Sequence, residues 1–230
     1  MAPAGTPSER TKVRRVAERG AYNQETIHAI LKEGLVAHVG LATEHGPVVI
    51  PMAYGLDAPA NRLILHGSGA SRLMQGLRAG VPACVTVTHV DGLVLARSAF
   101  NHSMNYRSVV ALGTLRAVEG EAEQQEALRV LTEHLAPGRW DHVRPPSELE
   151  MKATMVLTMD LKEASAKVRQ GPPGDDPDDM ELPVWAGVIP LPVVPGAPEQ
   201  DPVQALMDVP RHVAEWADAK GLAPRPPSQA

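Results

Sequence analysis

The sequence predicts a mainly β, α+β fold, an antiparallel barrel with a few short helices. Segments of strand length with alternating or continuous apolar character recur at 35–41, 48–55, 63–66, 83–96, 109–118 and 153–161. Helical spacing is confined to short stretches, and strands follow one another without the regular strand–helix alternation of a parallel sheet. At 230 residues the chain can bury one full core, and prolines concentrate in its last quarter. This divides it into an N-terminal arm (1–20), a barrel domain (21–170) and an extension (171–230).

Residues 1–10 have the composition of a flexible start, and Lys12, Arg14, Arg15 and Arg19 make the arm basic. Thr26 to Leu31 reads as a helix whose buried stripe is Ile27, Ile30 and Leu31, with His28 outside it and Gly34 as its stop. Leu35, Ala37, Val39 and Leu41 then alternate with Val36, His38 and Gly40, and His45-Gly46-Pro47 turns the chain into the strand Val48 to Gly55. Pro51 cannot donate to a ladder, so that strand should carry an edge or a bulge there. Leu63 to His66 is a strand, and Leu73, Met74 and Leu77 line one face of a helix that Gly80 ends. Asp91-Gly92 between two apolar runs, 83–90 and 93–96, predicts a hairpin turn. Arg97 to Tyr106 reads as a loop, 109–118 as a strand, Glu121 to Leu135 as a helix closed by Pro137-Gly138, and 153–161 as the last long strand. Gly171 to Asp179 is a Pro- and Asp-rich linker. The apolar, proline-broken stretch from Leu182 to Leu191 should pack across the barrel or a partner subunit, and Arg211 to Lys220 should dock as a final helix.

Charge and motifs narrow the function classes. Twenty-two basic against 27 acidic residues give a net charge of −5, with no dense basic patch for nucleic acid. Cys84 is the single cysteine and reads as a small core hydrophobe; dispersed histidines without cysteine partners argue against a dedicated metal site. With no apolar run near the roughly 18 residues of a membrane span and a polar start, the expected compartment is the cytoplasm. Phosphate-binding Walker loops, dinucleotide glycine fingerprints, nucleophile elbows and zinc-protease helices are all absent.

The most suggestive stretch is His66-Gly67-Ser68-Gly69-Ala70-Ser71-Arg72, where a strand, a glycine-bearing turn and a helix start surround one positive charge. Read as a phosphate cradle, the glycines permit a tight turn, and helix amides, the Ser71 hydroxyl and the Arg72 guanidinium converge on an anion. Read as plain structure, Ser68 or Ser71 is an N-cap and Arg72 a solvated first-turn residue.

The sequence resembles the flavin-nucleotide-binding, nitroimidazole-resistance-type branch of the pyridoxamine 5′-phosphate oxidase-like family. The resemblance rests on Leu65-His66-Gly67-Ser68 with Ser71-Arg72, on Val85 to Thr88 leading to Asp91–Phe100, on His102 to Val110, on Pro137-Gly138-Arg139-Trp140 and on Ser165 to Pro173. It implies a homodimeric split β-barrel with FMN at the subunit interface. Ser71 and Arg72 would take the phosphate, with Arg107 or Lys167 as helpers and Ser68 beside them. Ile50, Pro51, Met52 and Thr86 would line the ring, Asn105 would lie near the dimer seam, and Arg139 and Trp140 would reach the partner's flavin. His66 is the candidate catalytic residue: it lines the active site in nitroimidazole-resistance-type relatives, is an axial ligand if the cofactor is haem, and otherwise is an ordinary backbone-bonded histidine. The expected activity is flavin-dependent redox chemistry on a small molecule, in which the cofactor carries the electrons and the protein binds and tunes it. The alternative is a flavin or haem binder without turnover. Vitamin B6 oxidation is not expected, because the chain ends Gly221-Leu222-Ala223-Pro224-Arg225-Pro226-Pro227 in place of the arginine- and histidine-bearing closing segment of true pyridoxamine phosphate oxidases.

Overall fold

The computed structural model describes residues 6–204 and 207–222. The expected flexibility of 1–5 and the chain end 223–230 fall outside them. In chain order the elements are β1 (Gly20–Ala21), α1 (Gln24–Glu33), β2 (Val36–Thr43), β3 (Gly46–Asp57), β4 (Arg62–Ser68), α2 (Arg72–Arg78), β5 (Ala83–Leu95), β6 (Ser103–Gly113), β7 (Arg116–Ala117), α3 (Glu121–Leu135), α4 (Glu148–Ala153), β8 (Thr154–Asp160), β9 (Ala164–Arg169), β10 (Gly187–Pro190), α5 (Arg211–Ala214) and α6 (Trp216–Ala219). All pairings are antiparallel, in the order β1-β9-β6-β5-β2-β3-β4-β8-β7, with β10 on β5. No helix among the described residues is long and apolar enough to cross a membrane.

β3 joins the two halves of the sheet. Residues 46–53 pair with β2 and 54–57 with β4, so Pro51, opposite His38, sits where the other edge of the strand is unpaired. That is the edge its missing N–H requires. Alternation then fixes the faces: Ala37, Val39 and Leu41 of β2 enter the core with Val85 and Val87 of β5 and Val109 and Ala111 of β6. α1 closes this core with Ile27, Ile30 and Leu31 and is capped by the Asn23 side chain, which accepts from Thr26 N–H at 2.8 Å. β8 is covered on both sides: Leu157 and Met159 face the main core, while Val156 joins Ile64 under Ala127 and Leu131 of α3. α3 has the bounds its spacing predicts.

The Asp91-Gly92 turn does not form. β5 runs straight through it, with a bulge between Val90↔Tyr106 and Gly92↔Asn105 that leaves Asp91 as the extra residue. Both edges of the strand are occupied there, by β6 on one side and by β10 against Gly92–Leu95 on the other, so continuous pairing outweighs local turn preference. The chain reverses instead at 96–102, and the expected loop is a strand from Ser103 onward. The 171–179 segment is anchored rather than free: Arg97 donates to Asp175 from its backbone N–H (2.8 Å) and from its guanidinium (2.7 Å). Of the apolar stretch at 182–191, Gly187–Pro190 adds to the sheet as β10 while Trp185 stays 67% exposed. The final helix is broken at Glu215 into α5 and α6. Its dock is polar as well as apolar: Trp216 Nε1–H donates to Leu135 O (2.8 Å), and Lys220, 2% exposed, donates through Nζ to Lys32 O (2.6 Å) and His134 O (2.8 Å), at the ends of α1 and α3. An ammonium there meets carbonyls that the helices leave unpaired.

Candidate functional site

A cleft of about 740 Å³ opens between the β2–β3 turn and the first turn of α2. Its volume falls within the roughly 300–1,000 Å³ usual for small-molecule sites. Leu41, Val48, Ile50, Leu73 and Val81 form apolar walls, and Thr43, Glu44, His45, Ser71 and Arg72 supply polar groups. Val48 and Ile50 pair with Leu41 and Val39 on the core side of the sheet, yet both remain exposed, because α2 leaves this end of the core uncovered. Arg72 is exposed and has no side-chain hydrogen bond or ion pair among the described residues, and Ser71, at the N-cap of α2, makes no side-chain cap bond.

The turn before α2 works differently from the expected cradle. Neither Gly67 nor Gly69 has a positive φ. Gly67 is still inside β4, where an added Cβ would lie 3.0 Å from Met74 Cγ; its missing side chain lets α2 pack on the strand. Gly69 N–H donates to Ala153 O at 3.0 Å, Gln75 Nε2 donates to Gly69 O, and the exposed Ser68 accepts the Ala70 N–H at its Oγ (3.2 Å). The loop is thus held by bonds to α2, to the end of α4 and within itself, and the cation beside it has no partner among the described residues.

The other sequence candidates separate into distinct places. Met52 packs against the main core. Pro51, His38, Thr86, Val110 and Ser165 stand in register across the outer face of the sheet, and Thr88, Ser108 and Lys167 form the neighbouring row. Cys84 is half-buried on this face, and burial raises its thiol pKa. Asn105 and Arg107, expected beside a ligand, are committed to the fold. Asn105 accepts from Arg169 through Oδ1 and donates to Gly171 O at 3.2 Å. Arg107 makes a two-pronged pair with Asp91 (3.0 and 2.9 Å) and a bond to Glu33 (2.7 Å); the Asp91 bonds come first in raising its pKa further above the ordinary arginine value. The bulge explains this, since it aims Asp91 at Arg107.

His66 does not line the cleft. It shares a β4 face with Ile64, on the α3 side, and is opposite Val156. Its Nδ1 is buried with no hydrogen-bond partner among the described residues, and burial lowers the imidazole pKa. Arg139 and Trp140 lie beyond α3: Trp140 N–H donates to Glu133 Oε1 at 2.8 Å, and Arg139 lines a second cavity with the C-terminal segment. Of the cleft, sequence reasoning nominated Ile50, Ser71 and Arg72 and missed the rest, Leu41, Thr43, Glu44, His45, Val48, Leu73 and Val81 among them. Their only local signal is proximity to the turn and helix; their convergence is a tertiary fact.

Residues 23–168 match the family model described as pyridoxamine 5′-phosphate oxidase. Among solved structures, the chain is similar to the flavocytochrome Anf3 from Azotobacter vinelandii, at 40% identity and a TM-score of 0.85 over 91% of this chain and 97% of that one. It is also similar to the FAD and haem binding protein from Mycobacterium smegmatis, at 32% identity and a TM-score of 0.81 over 85% and 95% of the two chains. A candidate 5-nitroimidazole antibiotic resistance protein from Bacteroides thetaiotaomicron shares the fold, at 21% identity and a TM-score of 0.54 over 64% and 84%. A search of curated proteins finds no match.

Proposed function

Because the chain belongs to the pyridoxamine 5′-phosphate oxidase family, we propose that it is a flavin-binding oxidoreductase acting on a small molecule, with the flavin's anionic end at Arg72. The observation that carries this reading is a guanidinium with no side-chain hydrogen bond or ion pair among the described residues, at the rim of an apolar-walled cleft of about 740 Å³. Arg72 and Ser71 hold phosphate oxygens by charge-assisted and neutral hydrogen bonds, while Ile50, Val48 and Leu41 exclude water from the apolar part of the ligand. The flavin supplies the electron transfer; the chain supplies binding, orientation and local electrostatics. The resemblance in sequence implied FMN. The protein from Mycobacterium smegmatis binds FAD, so the proposal extends to either flavin nucleotide.

Haem enters as a second cofactor on a separate observation. The His66 imidazole has a buried ring nitrogen without a partner and a pKa lowered by burial, which favours the neutral form that a metal ligand requires. Two relatives are a flavocytochrome and a FAD and haem binding protein, which supports the same assignment.

A homodimer is proposed for the outer sheet face. Val36, Val49, Val90 and Val110 are exposed there, and such a patch in water marks an interaction surface. Sedimentation should give twice the chain mass of 24.6 kDa; a monomer at micromolar concentration removes the dimer.

The cofactor reading is tested by the absorption spectrum of the purified protein. Flavin bands near roughly 375 and 450 nm are expected, with an added Soret band if haem is bound. Extraction separates FMN from FAD by mass. Anaerobic reduction by a nicotinamide donor followed by reoxidation with a substrate panel separates turnover from binding alone. Arg72→Ala should weaken flavin binding by about 1.5–3 kcal/mol, measured by titrating flavin into the cofactor-free protein. Unchanged affinity takes Arg72 out of the site, and a colourless protein that ignores both cofactors ends the proposal.

A further inference from the structure

The second cavity, of about 420 Å³, lies between the end of α3 and the C-terminal segment, apart from the residues that line the Arg72 cleft. Pro195, Pro198, Val213 and Trp216 supply its apolar walls. Its roof is fixed by the Trp216 and Lys220 bonds to the α1 and α3 ends. A built wall of this kind is a preformed site, which spares a ligand the cost of ordering a loop.

Among the described residues, Arg139 is the charged side chain that lines this space. Arg139 is half-buried, its one side-chain contact is an approach of 3.4 Å to His212 Nε2, and it has no ion pair among the described residues. Glu133, the acid on α3 close by, directs its two oxygens elsewhere, to the N–H groups of Gly138 (2.6 Å) and Trp140 (2.8 Å). His212 stacks on His142 with ring centroids 4.3 Å apart and planes 16° from parallel, so two flat rings border the cation. Desolvation, His142 and Arg139 all lower the His212 pKa, against a weaker opposing pull from Glu133. A guanidinium that makes no ion pair among the described residues, with the nearby Glu133 bonded to backbone N–H groups, is complementary at the edge of an apolar chamber to an organic anion.

We propose that this cavity binds a small organic anion with an apolar body, an aromatic carboxylate being the simplest example, with its carboxylate on Arg139 and its apolar body against Trp216 and the prolines. The cavity is distinct from the Arg72 cleft, with which it shares no lining residue.

The probe is benzoate, titrated by calorimetry into the full chain, with benzamide as the neutral analogue of the same shape. Saturable benzoate binding is expected, with benzamide weaker by about tenfold or more, the usual worth of a charged hydrogen bond. Arg139→Gln should weaken benzoate by a similar factor, and Arg139→Lys, which keeps the charge, by less. Val213→Trp, which narrows the chamber beside Arg139, should weaken binding while the thermal melt stays cooperative. Arg72→Ala should bind benzoate as the wild type does, which separates this site from the flavin cleft. Absence of saturable binding, equal affinity for benzamide, indifference to Arg139→Gln, or loss of benzoate binding in Arg72→Ala each overturns the assignment.

Discussion

Gly55→Ala is expected to destabilise the protein by about 2–4 kcal/mol, the upper range for overpacking a well-filled core. Gly55 lies on β3 opposite Ile64, directly under α3, and a Cβ built on it would lie 2.8 Å from Leu131 Cα and 3.2 Å from Leu131 N. The obstacle is helix backbone, which no rotamer change can move aside. Either α3 shifts away from the sheet as a unit or β3 distorts where it passes between the two halves of the sheet. A shift of α3 would loosen the Ile64, Ala127, Leu131 and Val156 cluster and carry with it the 137–142 segment that bears Arg139. Urea unfolding of the variant measures the cost, and a midpoint equal to that of the wild type would mean that α3 yields without loss. Gly34→Ala makes a less decisive test, because the nearest atoms there, Tyr54 Oη at 2.5 Å and Val87 Cγ1 at 2.7 Å, belong to side chains.

Acid should destabilise the fold through His134. This α3 residue is buried, its Nε2–H donates to Gly34 O at 2.9 Å, and its ring lies against Tyr54 with centroids 4.7 Å apart. Burial first, and the Lys220 charge second, lower its pKa from 6.5 to about 4, against a smaller opposing effect of the Gly34 bond. The folded value is below the unfolded one, so as pH falls through 6.5 the unfolded chain takes a proton that the native state refuses. Stability present above pH 6.5 is therefore lost progressively down to about pH 4. The gap corresponds to about 3 kcal/mol at 1.36 kcal/mol per pH unit. Carboxylates held by partners, Asp175 with Arg97 among them, add to the acid loss, so the informative quantity is a difference between proteins. His134→Gln keeps a donor for Gly34 O and cannot titrate, so its unfolding free energy should fall less between pH 7 and pH 4.5 than that of the wild type. Parallel pH profiles for the two would show that His134 does not carry the loss.

The second expectation comes from a polar joint beside the α1 and α3 ends. Lys32, Gly34 and His134 offer carbonyls at the ends of α1 and α3; the His134 ring and the Lys220 ammonium donate into them, and Tyr54 Oη donates to Leu31 O at 2.5 Å. Burial pushes the Tyr54 pKa up and brings Lys220 down to about 8. Every buried donor named here meets a carbonyl, which is what keeps such a cluster tolerable inside a core.

Much of the fold was legible from spacing alone. The stripe Ile27, Ile30 and Leu31, the alternation of Ala37, Val39 and Leu41, and the bounds of α3 are consequences of burying one face of a local element, and a local element shows its faces in its own sequence. Asp91-Gly92 marks where that reasoning ends. The pair has strong turn chemistry, but β6 and β10 pair with β5 on either side of it, and neither neighbour is visible within a window of a few residues. The same divide runs through the candidate site. Arg72, Arg107 and Arg139 are alike as residues, and the sequence could nominate all three as anion holders. Only the tertiary structure decided between them, by placing Asp91 and Glu33 against Arg107 and leaving Arg72 and Arg139 with no ion pair among the described residues, beside separate cavities. The physical reason is that a side chain's ability to form charged contacts is local, whereas its neutralisation depends on groups brought near it from distant parts of the chain.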